Sequence, residues 1–132
     1  MAWDGPNVKI PGLTAAANYS AVANQYKFVK LSAAKVVTVC DGTTDKPIGV
    51  LQNRPKLGEE AEVVCIGITK VRGDENLAAG ASIGTSADGE AATYSVSDNT
   101  KHIVGIVIED NAAAGGYATA VINCAGSRAN IA

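Results

Sequence analysis

Apolar residues along the chain fall in short, β-branched runs broken by glycine, aspartate and proline. This pattern predicts strands and turns rather than helices. Eight runs stand out: Tyr26 to Leu31, Val36 to Cys40, Ile48 to Asn53, Ala61 to Arg72, Ala81 to Thr85, Ala92 to Ser97, Ile103 to Glu109 and Tyr117 to Cys124. Asp41-Gly42 ends the second run and Pro55 lies just past the third. In the longest run, alternation puts Val64, Ile66 and Ile68 on one face. Asp88-Gly89, inside SADGEA, is a hairpin turn signal between two runs, and Asn76 to Gly80 reads as a turn or one helical turn. No long amphipathic helix pattern intervenes, which argues against alternating strand–helix units. The expected fold is all-β: a single-domain β-sandwich or barrel of about eight short strands with an extended N-terminal arm.

That arm is residues 1–24, leaving 25–132 as the sandwich or barrel domain. Trp3, Gly5, Pro6, Pro11 and Gly12 crowd the first residues, an irregular composition. Residues 13–24, LTAAANYSAVAN, suit either a short Ala-rich helix or a continuation of the arm, since Asn and Ser compete with helix.

A weak internal repeat is present. VTVCDGTTDKPIGV, from Val37, resembles YSVSDNTKHIVGI, from Tyr94, and each leads through a Gly-rich turn (Gly58; Gly116) into a long strand. Two copies of one strand–turn–strand unit packed in a common core, or chance in an Ala/Val/Gly-rich chain, both account for it. Two units are too few for a solenoid.

At 132 residues the chain suits one domain that needs neither metal nor disulfide to fold. Hydrophobic residues make up 47% and charged residues only 18%, so part of the surface is expected to be covered by other chains. Net charge is −2 with no Lys/Arg block, which disfavours nucleic acid and anionic membrane as partners. MAWDGPNVKIPG has no apolar signal core and no run approaches transmembrane length, so synthesis in cytoplasm is expected. Cys40, Cys65 and Cys124 each sit in or at the end of an apolar run and read as small core residues. No Cys/His pair has zinc spacing.

Candidate chemistry is thin. Gly80-Ala81-Ser82-Ile83-Gly84 matches a nucleophile elbow, but the residues after it read as a hairpin turn, and His102 is the only histidine. Asp41 to Lys46 starts like a calcium loop, yet Lys46 and Gln52 stand where such a loop needs Gly and Glu. A polar turn with Asp side chains bonded to local backbone is the plainer reading. Lys46 at a turn suggests a swinging-arm carrier lysine, without the acidic and Met neighbours expected there. Asn18-Tyr19-Ser20 fits a glycosylation acceptor, but without a signal peptide it has no expected route to a glycosylating compartment. No glycine-rich phosphate loop precedes a helix. The expectation is a non-enzyme with no catalytic residue, metal or cofactor.

The order of motifs nevertheless resembles a family of small head decoration (cement) proteins of tailed phages. Tyr26-Lys-Phe-Val-Lys-Leu31, Pro47-Ile-Gly-Val-Leu51, Gly58-x-x-Ala61-x-Val63 and Gly67-Ile-Thr-Lys-Val71 carry the likeness. Leu77-Ala-Ala-Gly80-Ala-Ser-Ile83, Asp88-Gly89 and Ile103-Val-Gly105-Ile-Val107 extend it over residues 24–124. The resemblance implies a β-sandwich or barrel on the outer surface of an expanded head, bridging major capsid subunits, often as a homotrimer. It implies a virion location after assembly in host cytoplasm. On it rests the expectation that Trp3, Val8, Ile10 and Leu13 of the arm contact a neighbouring subunit or the capsid; the opposing expectation is an arm packed on its own domain. Two rivals remain: a tail or baseplate structural domain, and a carbohydrate-binding module. The latter needs an aromatic platform, for which Trp3, Tyr19, Tyr26, Phe28, Tyr94 and Tyr117 are the candidates.

Overall fold

The computed structural model describes residues 2–95, 97–98 and 100–126. Val96, in the expected strand Ala92 to Ser97, and residues 127–132, in the expected 25–132 domain, lie outside them. Among the described residues there are ten strands and no α-helix. The strands are β1 (Asn7–Ile10), β2 (Thr14–Ala15), β3 (Phe28–Ala33), β4 (Val36–Val39), β5 (Gly49–Leu51), β6 (Val63–Arg72), β7 (Ser82–Thr85), β8 (Ala91–Thr93), β9 (Gly105–Glu109) and β10 (Tyr117–Asn123). A single 3₁₀ turn, Val22–Asn24, falls in the Ala-rich stretch where a helix or arm was expected.

Each of the eight apolar runs holds one strand, and the all-β expectation stands. The strands form one hydrogen-bonded sheet that does not close into a barrel, in the order β2-β4-β3-β5-β6-β10-β9-β7-β8, with β1 added on β6. From β4 to β8 this order is symmetric. The β3–β4 hairpin, then β5 beside β3, then β6 beside β5, is matched by the β7–β8 hairpin, β9 beside β7 and β10 beside β9. The two units join through the β6–β10 ladder, Arg72 opposite Tyr117 to Ile66 opposite Asn123. The repeat seen in the sequence therefore has a counterpart in topology. Gly49 and Gly105 occupy matching places: a Cβ on either would strike the next strand's backbone, at Val64 O for Gly49 and Val121 O for Gly105.

The sheet curls so that the β7–β8 turn reaches back to β3 and β4. At the β7–β8 turn, the Gly89 carbonyl accepts a hydrogen bond from the Phe28 amide at 2.7 Å. Gly89 has φ +81°, and a Cβ there would lie 2.6 Å from Val39 Cγ1, so the Asp88-Gly89 turn needs glycine both for its backbone and for this approach. Inside the curl, Phe28, Val50, Val64, Val71, Leu77, Ile83, Val107 and Ile122 form the main core. A second cluster covers the other side of β3–β5: Leu13, Val29, Val37, Leu51, Ala61 and Val63, with Ile10 and Tyr19 packed against it. Three of these residues come from the expected arm. The boundary expected at 24/25 thus runs through a core: β2 pairs with β4, and β1 pairs antiparallel with β6.

The expected common face of Val64, Ile66 and Ile68 is not observed. Val64 is buried, whereas Ile66 and Ile68 lie on the outer side. Val8 faces Ile66 and Lys9 faces Val64, so Cys65 is the extra residue of a β-bulge, which shifts the alternation there. Gly67 follows with φ +122°, its Cα side pressed against β1.

Candidate interaction surface

Strands β6, β9 and β10 point one set of side chains into the main core and the other outward. The cross-strand partners Val8–Ile66, Ile68–Val121 and Val121–Ile106 fix which residues share the outer face. Ile66 and Ile68 are two apart on β6, and Ile106 and Ile108 two apart on β9, so the outer face is one aliphatic stripe across four strands. Val8 is 56% exposed, Ile66 40%, Ile106 48%, Ile108 40% and Val121 41%. Scattered exposed aliphatics are ordinary; a run of them side by side on one sheet face is a candidate for an interaction surface.

The N-terminal segment borders this stripe. The Trp3 amide donates to Thr119 Oγ1 (2.7 Å), and the Trp3 indole donates to Glu109 Oε2 (2.9 Å). The Lys70 amide donates to Asp4 Oδ1 (2.9 Å), the Gly5 amide to Ile68 O (3.2 Å), and the Ile68 amide to Pro6 O (3.0 Å). Of the four expected contact residues, Trp3 and Val8 lie exposed on or beside the stripe. Ile10 is partly buried, and Leu13, only 4% exposed, belongs to the second core cluster. The N-terminal segment is packed on its own sheet.

None of Ile66, Ile106, Ile108 and Val121 is among the contact residues expected from sequence. The signal was present in Ile103-Val-Gly-Ile-Val-Ile108, which is apolar on both faces. Such a strand reads as covered on both sides, and this fold covers only the inner one.

The other candidates resolve locally. Ser82 opens β7, which runs into the hairpin turn and not into a helix. Asp45 Oδ2 accepts from Lys30 Nζ and from the Asp41 and Gly42 amides, all at 2.9 Å, so Asp41 to Lys46 is the polar turn. Burial works to raise the Asp45 carboxyl, but these bonds, Lys30 first, outweigh it and hold the group below the usual carboxylate value. Asp74, Asp88 and Glu90 place carboxylate oxygens within 4.8 Å of one another. Burial pushes Glu90 up, and so do Asp74 and Asp88, while Lys27 and Arg72 oppose the effect. His102 is held below its usual value by burial and then by Lys46. Among the described residues no helix is long and apolar enough to cross a membrane.

The tyrosines are all engaged. Tyr26 and Tyr117 meet edge to face at 5.1 Å, with Lys70 Nζ 5.5 Å from the Tyr26 ring centroid and Arg72 Cζ 4.8 Å from that of Tyr117. Tyr19 OH lies 2.7 Å from Thr38 Oγ1, and Tyr94 OH donates to Thr85 O at 2.7 Å.

No family model matches the chain, and no curated protein matches it. Among solved structures it is similar to the head fiber gp8.5 N base of bacteriophage phi29, with a TM-score of 0.65 and 17% identity over 95% of this chain and 98% of that one. At such identity the likeness shows the fold, along nearly the whole of both chains. It does not single out the decoration family that the sequence resembles.

Proposed function

We propose that the chain is a non-enzymatic structural protein of a bacteriophage virion, seated on the outside of the head. The aliphatic stripe carries this reading: a run of exposed aliphatic side chains on a sheet face left open by the chain's own packing. The fold likeness to a phage head fiber base supports it. On this reading Val8, Ile66, Val121, Ile106 and Ile108, with Trp3 at the edge, pack against major capsid protein or a neighbouring copy.

The energetics favour an arrayed role. Full burial of an aliphatic side chain stabilises by about 1.5–3 kcal/mol. Since these residues keep roughly half their exposure, each gains about 1 kcal/mol on being covered, and five gain about 5. Association itself costs about 4–15 kcal/mol. One such face alone binds weakly, whereas copies linked to one another, as in a homotrimer, bind together through multivalency. A clip of this kind adds contact area across the seams of a shell loaded by packaged DNA. The protein would be made in host cytoplasm and end in the virion.

A carbohydrate-binding role has less support. Tyr26 and Tyr117 do come together, but Lys70 and Arg72 lie over their rings, where a sugar platform needs an open face.

The test is sedimentation of the purified chain with expanded heads of the phage that encodes it. Saturable pelleting is expected; a chain that stays in the supernatant at every head concentration contradicts the reading.

A further inference from the structure

The β6–β10 ladder continues one step past Ile66–Asn123. The Cys124 amide donates to Cys65 O at 2.9 Å, so the two cysteines stand next to the last ladder pair, Ile66–Asn123, as its continuation. Neighbouring Ile66 and Asn123 point outward, while Cys65 and Cys124 are both buried, so the two thiols share the inner side. Both line one cavity of about 260 Å³, with Ile10, Lys46, Pro47 and Ile48 as further walls. A directly opposed, hydrogen-bonded antiparallel pair has Cα atoms about 5.5 Å apart. Disulfides span about 4.4–6.8 Å between Cα atoms, most often 5.5–6 Å. A pair at this register falls within the Cα range that a disulfide spans, and the shared cavity leaves room for the two side chains to turn toward each other.

We propose that Cys65 and Cys124 form an oxidation site that hydrogen peroxide closes into a cross-strand disulfide. Cys65, at 9% exposure the more accessible of the two, reacts first. Its thiolate sulfur attacks one peroxide oxygen, the O–O bond breaks, and after proton transfer the products are a sulfenic acid and water. The Cys124 sulfur then attacks the sulfenic sulfur, the S–O bond breaks, and a second water leaves. Two thiols and one peroxide thus give one disulfide and two waters. Cys65 Sγ now donates to Val8 O at 3.5 Å, so turning it toward Cys124 gives up that bond to β1. Burial pushes the Cys124 thiol up to about 12, with Cys65 and Cys40 nearby adding to the effect; this assigns Cys124 the second step. The protein is then a dithiol in a reducing compartment and a sheet stapled between its two units once exposed to oxidant.

The test uses the wild-type chain, treated with peroxide, blocked with iodoacetamide, and read by intact mass and tryptic mapping. Cys40, Cys65 and Cys124 fall in separate peptides, residues 36–56, 57–70 and 102–128. The expected result is a chain about 116 Da lighter than the untreated, fully alkylated one (two alkyl groups of about 57 Da and two hydrogens fewer) and a linked 57–70/102–128 peptide, with a melting temperature higher by on the order of 10 °C. Cys40→Ser is expected to retain the link and Cys124→Ser to lose it. Recovery of both peptides alkylated, or a link to peptide 36–56 instead, would overturn the proposal.

Discussion

Gly67→Ala tests how the N-terminal segment is held. Gly67 has φ +122°, and an added Cβ would lie 2.5 Å from both Asn7 Cα and Pro6 O. Backbone strain of this kind costs about 1–3 kcal/mol, and neither contact is a side-chain tip that can swing away. Opposing the strain are the hydrogen bonds of residues 3–6 to Thr119, Glu109, Lys70 and Ile68, together with the β1 ladder. Each contributes about 1 kcal/mol net, while ordering each residue costs about 1–2 kcal/mol. Docking is therefore marginal, and 1–3 kcal/mol is enough to tip it. The clash with Asn7 and Pro6 is relieved by releasing β1, because β6 is fixed on its other contacts by β5 and β10. Trp3 is the only tryptophan, so its fluorescence reports docking directly. The variant is expected to shift Trp3 emission to the red and expose the first residues to protease, while the far-ultraviolet β signal persists. Wild-type emission and protection in Gly67→Ala would refute the reasoning.

Leu13→Ala should destabilise by about 2–4 kcal/mol, whereas Val8→Ala, on the outer face, should stay within about 0.5 kcal/mol; urea unfolding separates the two. Gly49→Ala and Gly105→Ala meet the same obstacle in the two units and should each cost at least about 1–3 kcal/mol, to a similar extent, by the same assay. Asp45→Ala removes the acceptor of three hydrogen bonds and, on a partly exposed turn, should cost about 1–2 kcal/mol. Because the Asp45 carboxyl sits below its usual 3.8, its contribution is complete above that pH and is lost as pH falls through the lower folded value. The gap in melting temperature between wild type and Asp45→Ala should therefore narrow on acidification below pH 3.8 and stay constant near neutrality.

Much of this fold was legible in the chain because its strands are marked by local signals. Asp41-Gly42 and Asp88-Gly89 punctuate the runs, and Ile48-Gly49-Val50 and Val104-Gly105-Ile106 repeat because each glycine passes close to the following strand. β1 was not legible. Asn7-Val8-Lys9-Ile10, between Pro6 and Pro11, has no strand signal beyond four alternating residues, and it becomes a strand only against distant β6. The outer stripe was obscured for a related reason. Alternation counted through Val64, Ile66 and Ile68 assumes an unbroken strand, and the bulge at Cys65 reverses which side Val64 takes. Leu13 and Trp3 sit ten residues apart in an irregular segment, and only the folded chain separates a core residue from a surface one.

The most direct test of the central claim compares two exposed positions in the head-sedimentation assay. Val121→Asp places a charge in the middle of the stripe, and Leu57→Asp places one at a 69% exposed residue in the loop before β6. An unpaired charge buried in an interface costs about 2–5 kcal/mol, so Val121→Asp should weaken head binding by at least about 30-fold while Leu57→Asp binds like wild type. Wild-type binding by a folded Val121→Asp chain, or equal loss in both variants, would contradict the assignment of the stripe as the contact surface.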